Sequence, residues 1–230
     1  MPAIVRSPRS GEPAPVVIIF QGFEGVKEEA ETTVSELHAR GLATISFDGP
    51  GRGEALETVP LTGDHAPATT ALIEAVVDQR TDLDADRIGA LGINRGGFLA
   101  LKAAAKEPRI RACAVTSPGY DRRGSDWEAP WRIAFDMFLF HATSSAELRK
   151  VMNQPDLSLE QDVAQIRCAV GIVAGSNDDS AHFAGSRRLF EELPGEKEWT
   201  VIPDAHRNGA NVPYKVRPIM ADFLVKHLSA

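Results

Sequence analysis

Short apolar runs rich in β-branched residues alternate along the chain with segments of helical periodicity. Six runs have the length and composition of buried strands: residues 16–20, 42–48, 87–93, 110–117, 169–175 and 198–203. Five segments have a helical pattern: residues 27–40, 67–80, 96–106, 181–192 and 213–228. Nearly continuous apolar strands that alternate with helices are typical of a parallel sheet covered on both faces. With right-handed crossovers, the pattern predicts one doubly wound, mostly parallel α/β domain over residues 1–230.

Residues 119–166 interrupt this alternation because they contain no clear strand. They carry five aromatic residues at helix-like spacing: Trp127, Trp131, Phe135, Phe138 and Phe140. Two interpretations are compatible with each other. One is a small helical insertion that buries these rings against the main domain, and the other is a cap that supplies an apolar substrate pocket. In the second, we expect Trp127, Trp131 and Phe135 to bind the substrate.

Charge and composition exclude several classes of partner. The formal net charge is −7, and Lys and Arg are scattered without a basic stripe, so we expect no nucleic-acid surface and no binding to an anionic membrane. No apolar run approaches the length of a transmembrane helix, and the first residues lack the apolar core of a signal peptide. Cys113 and Cys168 lie inside apolar runs, which indicates core residues in a reducing compartment. The sequence therefore predicts a cytoplasmic protein.

The segment "ALGINRGGFLA", residues 90–100, has the pattern of a strand, a sharp turn and a helix. Hydrolases of one large fold place a nucleophilic serine at the centre of such a turn, in the pattern G-x-S-x-G. Here the central residue is Asn94, whose amide is not a nucleophile. Asn tolerates the positive φ of this turn, and the neighbouring glycines give strand and helix room to approach. We therefore expect the turn to be retained without its usual nucleophile.

Two later loops supply candidates for an acid–base pair. The segment "VAGSNDD" follows a predicted strand and offers Asp178, with Asp179 as its rival, and "VIPDAHRNG" follows the last strand and offers His206. Loops at the carboxyl ends of parallel strands are where such folds bind ligands. An acid that orients an imidazole facing the turn at Asn94 is the arrangement of a catalytic triad. We therefore predict Asp178 and His206 as the acid–base pair.

Backbone N–H groups near the same turn are candidates for an oxyanion hole. The segment "FQGFEGVKEE", residues 20–29, follows the first predicted strand and begins a helix, so its N–H groups can face a developing negative charge. The expected donors are the N–H groups of Phe23 and of Arg95, which follows Asn94. The glycine-rich turn "FDGPGRGEA", residues 47–55, lacks the ending of a phosphate-binding loop, and we interpret it as structural.

The order of these segments resembles the α/β-hydrolase superfamily over essentially the whole chain. "QGFEGVKEE" and "DGPGRGE" are more narrowly similar to the branch that contains 2,6-dihydroxypseudooxynicotine hydrolase, FrsA-like proteins and fungal hydrolases that shorten polyketides. The resemblance implies an α/β-hydrolase fold and a small-molecule carbonyl substrate, cleaved at an ester or an acyl-activated C–C bond without cofactor or metal. Glu24 matches the acidic position of the branch motif, which implies an assisting catalytic acid. A carboxylate that complements the helix dipole is the structural alternative.

Two features depart from that branch. Its members usually have a helical domain ahead of the hydrolase core, whereas this chain starts almost at the first core strand. Residues 119–166 or a second subunit would then supply the lid, which makes a homodimer one expected arrangement. The other departure is Asn94, which replaces the usual nucleophilic serine.

Asn94 allows several interpretations. In one interpretation, Asn94 replaces the catalytic serine of a hydrolase, and the chain is an inactive form of that enzyme. Alternatively, the protein uses no acyl-enzyme, and His206 is a general base for a lyase or cyclase reaction, in which the Asn94 amide donates a hydrogen bond. "GINRGG" also resembles the G-x-D-R-G-G turn of dehalogenases, and in that interpretation Asn94 would replace a nucleophilic Asp. A catalytically inactive binding protein is the remaining alternative. Arg95 and Arg207 follow the turn and the proposed base, and either is a candidate to hold a substrate anion or is a solvated surface residue.

Overall fold

The computed structural model describes residues 1–8, 11–22, 25–123 and 130–229. Within those residues, seven strands form one sheet: β1 (Ala3–Arg6), β2 (Ala14–Phe20), β3 (Ala43–Phe47), β4 (Leu83–Ile93), β5 (Ile110–Thr116), β6 (Ala169–Gly175) and β7 (Lys197–Ile202). Their order is β1-β3-β2-β4-β5-β6-β7, and every pairing is parallel except that of β1 with β3. The mostly parallel α/β sheet predicted from the sequence is confirmed.

The helices lie on both faces of this sheet. They are α1 (Glu31–His38), α2 (Ala66–Leu72), α3 (Arg95–Lys106), α4 (Pro130–Leu139), α5 (Ser145–Met152), α6 (Ser180–Glu192) and α7 (Pro213–Leu228). A π-helical turn over Ile73–Val77 continues α2, and short 3₁₀ turns include Lys27–Ala30, Gly53–Glu57 and Arg207–Gly209. The described part of the chain contains no helix long and apolar enough to cross a membrane.

Burial on both sides explains why the strand sequences are continuously apolar. All seven residues of β2 are buried. Alternate residues along the strands of the sheet face two separate cores. One core is formed with α2, α3 and α6, and the other with α1 and α7. Because β2 to β7 are parallel, the sheet holds their carboxyl ends at one edge.

Cys113 and Cys168 are free and buried, as expected, and burial raises the pKa of the Cys168 thiol to about 12.

The sequence pattern gave no indication of β1. This strand has four half-buried residues and pairs antiparallel with β3 at the end of the sheet. An edge strand needs only one partner and one covered face, so its sequence carries a weak hydrophobic signal. Pairing with β3, a long-range contact, decides that it forms.

The described part of the predicted insertion is helical, but its aromatic rings are not all buried. Trp131 and Phe138 on α4 are 65% and 60% exposed, whereas Phe140 is 7% exposed. Phe140 belongs to a small separate core formed between α4, α5 and residues near Leu61. The expectation that the helix buries all its rings is therefore wrong for Trp131 and Phe138. A helix with two exposed large rings on it covers less of the main domain than its composition suggests.

Candidate active site

Asn94 occupies a strained turn between β4 and α3. Its backbone has φ 52° and ψ −114°, outside the regions that L-residues ordinarily adopt, and it is the N-cap residue of α3. Its N–H donates to the carbonyl oxygen of Thr116 at 2.9 Å, which ties the turn to the end of β5. Residues held in such conformations concentrate at functional sites because the surrounding structure must support the strain. The backbone geometry predicted for this position is present.

Glycines are required on both sides of this turn. A Cβ at Gly96 would lie 2.1 Å from the carbonyl oxygen of Phe20, and one at Gly92 would lie 2.5 Å from the carbonyl oxygen of Gly96. Both contacts are with backbone atoms, which cannot move aside independently. The two glycines therefore allow α3 to start against the ends of β2 and β4, and this explains the pattern G-x-N-x-G in physical terms.

The side chain of Asn94 contacts a buried arginine. Arg122, which is 7% exposed, donates from Nη2 to Asn94 Oδ1 at 3.1 Å and to the carbonyl oxygen of Pro118 at 2.7 Å. Its Nη1 lies 3.2 Å from Nε2 of His182. The Nδ1 atom of His182 lies 3.1 Å from Oδ1 of Asp179. A guanidinium always donates, so Nε2 accepts from Arg122 and the ring proton resides on Nδ1, directed at Asp179.

Asp178 and Asp179 meet Arg207 on the other side. The Nε atom of Arg207 donates to Asp178 Oδ1 at 3.3 Å, and its Nη2 atom forms an ion pair with Asp179. The side chain of Asp178 is 1% exposed, whereas those of Arg207 and Asp179 are 36% and 40% exposed. We call the connected residues the elbow network: Asn94, Arg122, Asp178, Asp179, His182 and Arg207. Contacts through Arg122 and His182 thus connect the turn at Asn94 to the loops that follow β6 and β7.

His206 lies at the N-cap of the 3₁₀ turn Arg207–Gly209 and is exposed. Its backbone N–H donates to Asn211 Oδ1 at 2.9 Å. Among the described residues, no hydrogen bond joins the His206 ring to Asp178, and the Asp178 carboxylate contacts Arg207 instead. The predicted acid–base pair is therefore not formed in this structure. The guanidinium of Arg207, predicted to be solvated or to hold a substrate anion, binds the two carboxylates of Asp178 and Asp179.

Arg95 connects the turn to α4. Its guanidinium lies 3.3 Å from Oδ1 of Asp136, whose other oxygen accepts from Nε of Arg132 at 2.9 Å. Both Arg95 and Asp136 are buried. As the first residue of α3, Arg95 also lies at the position where helix geometry leaves backbone N–H groups without intrahelical acceptors. The side chain therefore anchors α4 beside the turn, while its backbone stands at the place predicted for an oxyanion donor.

The glycine-rich turn supports the loop after β2. Asp48, which is 1% exposed, accepts from the Lys27 N–H at 3.0 Å, from Lys27 Nζ at 2.9 Å and from the Glu54 N–H at 3.2 Å. Arg52 donates from Nη1 to the carbonyl oxygen of Gly22. These contacts agree with the structural interpretation of "DGPGRGE", because the turn fixes both ends of the loop in which the oxyanion donor is predicted.

His65 is buried against the same turn. A Cβ on Gly49 would lie 3.2 Å from its Cε1 atom, so the ring is packed under that glycine. Burial, followed by the charge of Arg52, lowers the pKa of His65 to about 3. We call Lys27, Asp48, Arg52, Glu54 and His65 the turn cluster. Its members are buried except for Glu54, whose side chain is 67% exposed.

The remaining predicted site residues either lie outside the described part of the chain or belong to α4. Phe23, Glu24 and Trp127 lie outside the described residues. Trp131 projects from α4 with 65% exposure, and Phe135, one turn later, is half-buried.

Sequence reasoning missed Arg122 and His182. Arg122 lies in the loop after β5, and a signal for it was its position beyond a strand end at the same edge of the sheet. His182 follows Asp179 by three residues at the start of α6, and this spacing places the two side chains on one face of the helix. A cavity of about 670 Å³ lies beside them, lined by residues that include Tyr120, Asp179, His182, Arg188 and Arg207.

Comparisons with known proteins agree with this architecture. The family model described as "Prolyl oligopeptidase family" matches residues 61–228. The chain is 34% identical over its full length to "2,6-dihydropseudooxynicotine hydrolase" of Paenarthrobacter nicotinovorans, 62% of which is covered. It is 38% identical over 124 residues to "Alpha/beta hydrolase ucsC" of an Acremonium species, covering 49% of this chain and 24% of that protein.

A solved structure is also similar over nearly the whole chain. The crystal structure of 2,6-dihydroxy-pseudo-oxynicotine hydrolase superposes with a TM-score of 0.90 at 30% identity, covering 98% of this chain and 64% of that chain. The chain thus spans less than two thirds of the length of each of these relatives. The elbow, the sheet order and the family match lead to one conclusion: the chain belongs to the prolyl oligopeptidase family and has the α/β-hydrolase fold.

Proposed function

We propose that the protein is an enzyme that acts on a small carbonyl compound, cleaving an ester or an acyl-activated C–C bond at the turn around Asn94. The observation that carries this proposal is the strained backbone of Asn94, held at the start of α3 and connected through its side chain to the elbow network. Strain of this kind is costly to retain, and it places a side chain where a substrate carbonyl can be reached.

The orientation of the Asn94 amide favours chemistry without a covalent nucleophile. Because Oδ1 accepts from Arg122, the amide nitrogen is the end that can face a substrate. That nitrogen donates hydrogen bonds and therefore stabilises negative charge on a reacting oxygen. The N–H groups of Phe23 and Arg95 are the proposed further donors to the same oxygen, with Glu24 as the proposed assisting acid.

Proton transfer is assigned to His206. It begins the turn that carries Arg207, whose guanidinium binds Asp178 and Asp179, so its loop is attached to the elbow network. As a general base, His206 would take a proton from the water that attacks the carbonyl carbon and return it to the leaving group. The same base would support a lyase or cyclase reaction, in which it removes a proton from carbon and the donors at Asn94 hold the resulting enolate.

The names of the relatives and the aromatic residues of the insertion support the proposed substrate class. Two of the similar proteins are named 2,6-dihydropseudooxynicotine hydrolase and 2,6-dihydroxy-pseudo-oxynicotine hydrolase, and we propose for this chain a small substrate with an aromatic ring. In the proposal, Trp127, Trp131 and Phe135 provide apolar contacts for such a ring, and the cavity beside His182 gives access to the network from the side of α6. We propose a partly aromatic carbonyl compound of this size.

The test compares variants on 4-nitrophenyl acetate and on an aryl 1,3-diketone. We expect His206→Ala to lower turnover by at least about a hundredfold, the usual scale of general acid–base catalysis. Asn94→Ala, which removes one hydrogen-bond donor, should lower it by about tenfold or more. Asn94→Ser should introduce a burst of nitrophenol, because an acyl-enzyme can then form.

His141→Ala is the matched control, since His141 is exposed and its ring contacts the Leu56 carbonyl oxygen rather than the network. The proposal is wrong if His206→Ala turns over both compounds as fast as the unmodified chain. A protein that binds these compounds tightly, yet cleaves neither even with serine at position 94, would instead be a binding protein.

A further inference from the structure

A second cavity lies below the elbow, on the side of the sheet that faces α1 and α7. Its volume is about 230 Å³. It is bounded by the ends of β4 and β5, by the 3₁₀ turn Arg207–Gly209 and by α7, with Leu91, Ile93, Val216 and Met220 among its lining residues. Asn94 and the residues that line the cavity beside His182 are not among them. The two cavities therefore have separate walls.

Most of this wall is apolar, but Thr33, Thr116, Asn208 and Arg217 also line it. Ala112 and Ala114 of β5 belong to the core that contains Val216 and Met220. Alternate residues of a strand face the same side, so the side chain of Thr116 points toward that core and into the cavity it lines. Thr116 is 1% exposed.

Two buried polar atoms of this cavity have unsatisfied hydrogen-bonding capacity. Among the described residues, neither Thr116 Oγ1 nor Asn208 Oδ1 has a hydrogen-bond partner. The backbone of Asn208 is fixed, because its φ is 62° and its N–H donates to Ser117 Oγ at 3.1 Å. Burying a polar atom without a partner is unfavourable, so a site with two of them in a mostly apolar wall suits a ligand that supplies the missing partners.

We propose that this cavity binds a small phenol or alcohol. An engineered apolar cavity of about 150 Å³ holds a benzene ring, so 230 Å³ accommodates one ring and a small substituent. A hydroxyl group both donates and accepts. It can therefore accept from the Thr116 hydroxyl and donate to the side-chain amide oxygen, Oδ1, of Asn208, while the ring contacts Leu91, Val216 and Met220.

A ligand in this cavity would also act on the turn that carries the proposed base. Asn208 is the residue after Arg207, whose guanidinium pairs with Asp178, and the Gly209 N–H donates to the carbonyl oxygen of His206 at 2.9 Å. Occupation of the cavity would hold this turn in one position. The binding site itself does not depend on the proposed function, whereas this effect on catalysis rests on it.

The experiment measures binding of phenol and of toluene to the whole chain by calorimetry and by NMR shift perturbation. We expect phenol to bind more tightly than toluene, which has the same ring without a hydroxyl. Thr116→Val keeps the shape of the side chain. We expect it to lower the affinity for phenol by about five- to tenfold, the value of one hydrogen bond, and to leave the affinity for toluene unchanged. Asn208→Gly should lower the affinity for phenol by a similar factor, and glycine tolerates the positive φ of this position.

Ala210 is exposed and lines the cavity, so Ala210→Phe should block phenol, whereas Ala146→Phe on α5, also at an exposed position, should not. Chemical shifts of Thr116 and Asn208 should move on titration even if catalysis is absent, which separates this site from the proposed function. The inference is overturned if phenol does not bind, if Thr116→Val and the unmodified chain bind it equally, or if Ala210→Phe retains it.

Discussion

The turn cluster and the elbow network lie at the same edge of the sheet, yet they are organised in opposite ways. In the turn cluster, one fully buried carboxylate, Asp48, receives three donors from two neighbouring segments. The elbow network is a line of contacts that crosses four loops and ends at the half-exposed Arg207. A cluster centred on a buried carboxylate maintains a shape, whereas a line of contacts that reaches the partly exposed Asp179 and Arg207 can exchange protons and contact a ligand.

The difference also separates stability from activity. Removing a member of the turn cluster leaves buried donors without partners, and this cost appears in the free energy of unfolding. Removing an exposed member of the elbow network costs little stability because water replaces the contact. We therefore expect the two regions to respond to substitution in different measurements.

The largest expected effect on stability is at Asp48. In Asp48→Ala, the backbone N–H groups of Lys27 and Glu54 lose their acceptor. Each donor left without a partner destabilises the fold by about 2 kcal/mol, so the free energy of unfolding should fall by about 4 kcal/mol. Urea denaturation followed by circular dichroism measures this. Asp86→Ala removes an exposed carboxylate and serves as the control. An equal response of the two variants would contradict a structural role for the turn cluster.

The next effect depends on pH and involves His65. Burial lowers the pKa of this ring from an ordinary 6.5 to about 3, so between these values the unfolded chain binds a proton that the folded protein does not. The stability that the neutral ring permits is complete above pH 6.5 and is lost as the pH falls toward 3. At pH 4.5 the loss is about 3 kcal/mol relative to pH 7.

His65→Phe should remove that part of the pH dependence. The measurement is the difference in unfolding free energy between pH 7 and 4.5 for both proteins, with exposed His141→Phe as a reference. If the difference for His65→Phe matches that of the unmodified chain, the ring is already accessible to protons in the folded state. The turn cluster would then not be closed.

The smallest effect on stability should come from Asp179→Ser. Asp179 is the N-cap of α6, accepting from the His182 N–H at 2.9 Å, and serine caps a helix equally well. Its side chain is 40% exposed, so losing its contacts with Arg207 and His182 should change the unfolding free energy by less than about 1 kcal/mol. On the proposed function, turnover should nevertheless fall by at least about tenfold.

Ser144→Asp makes the reverse exchange at the cap of α5, away from the elbow network, and is the control. It should change neither stability nor turnover appreciably. A large loss of stability in Asp179→Ser, with unchanged turnover, would show that the elbow network is structural like the turn cluster. The comparison between the two regions would then fail.

Local sequence was sufficient for the elements that repeat a simple pattern. The central predicted strands formed because their apolar runs are buried on two faces, and the turn at Asn94 formed because glycines flank a residue that tolerates positive φ. The edge strand β1 and the exposure of Trp131 were not predictable in this way. Both depend on what the rest of the chain places beside a short segment.

The parallel α/β architecture, the strained turn and the presence of three loops at one edge of the sheet could be predicted from the amino-acid pattern. Which side chains meet at that edge depends on how the chain folds: Arg122 contacts Asn94, His182 contacts Asp179, and Arg207 contacts Asp178. The physical reason is range. Strand and turn preferences are set by neighbouring residues, whereas hydrogen bonds between loops depend on distances between segments far apart in the chain, which no local pattern encodes.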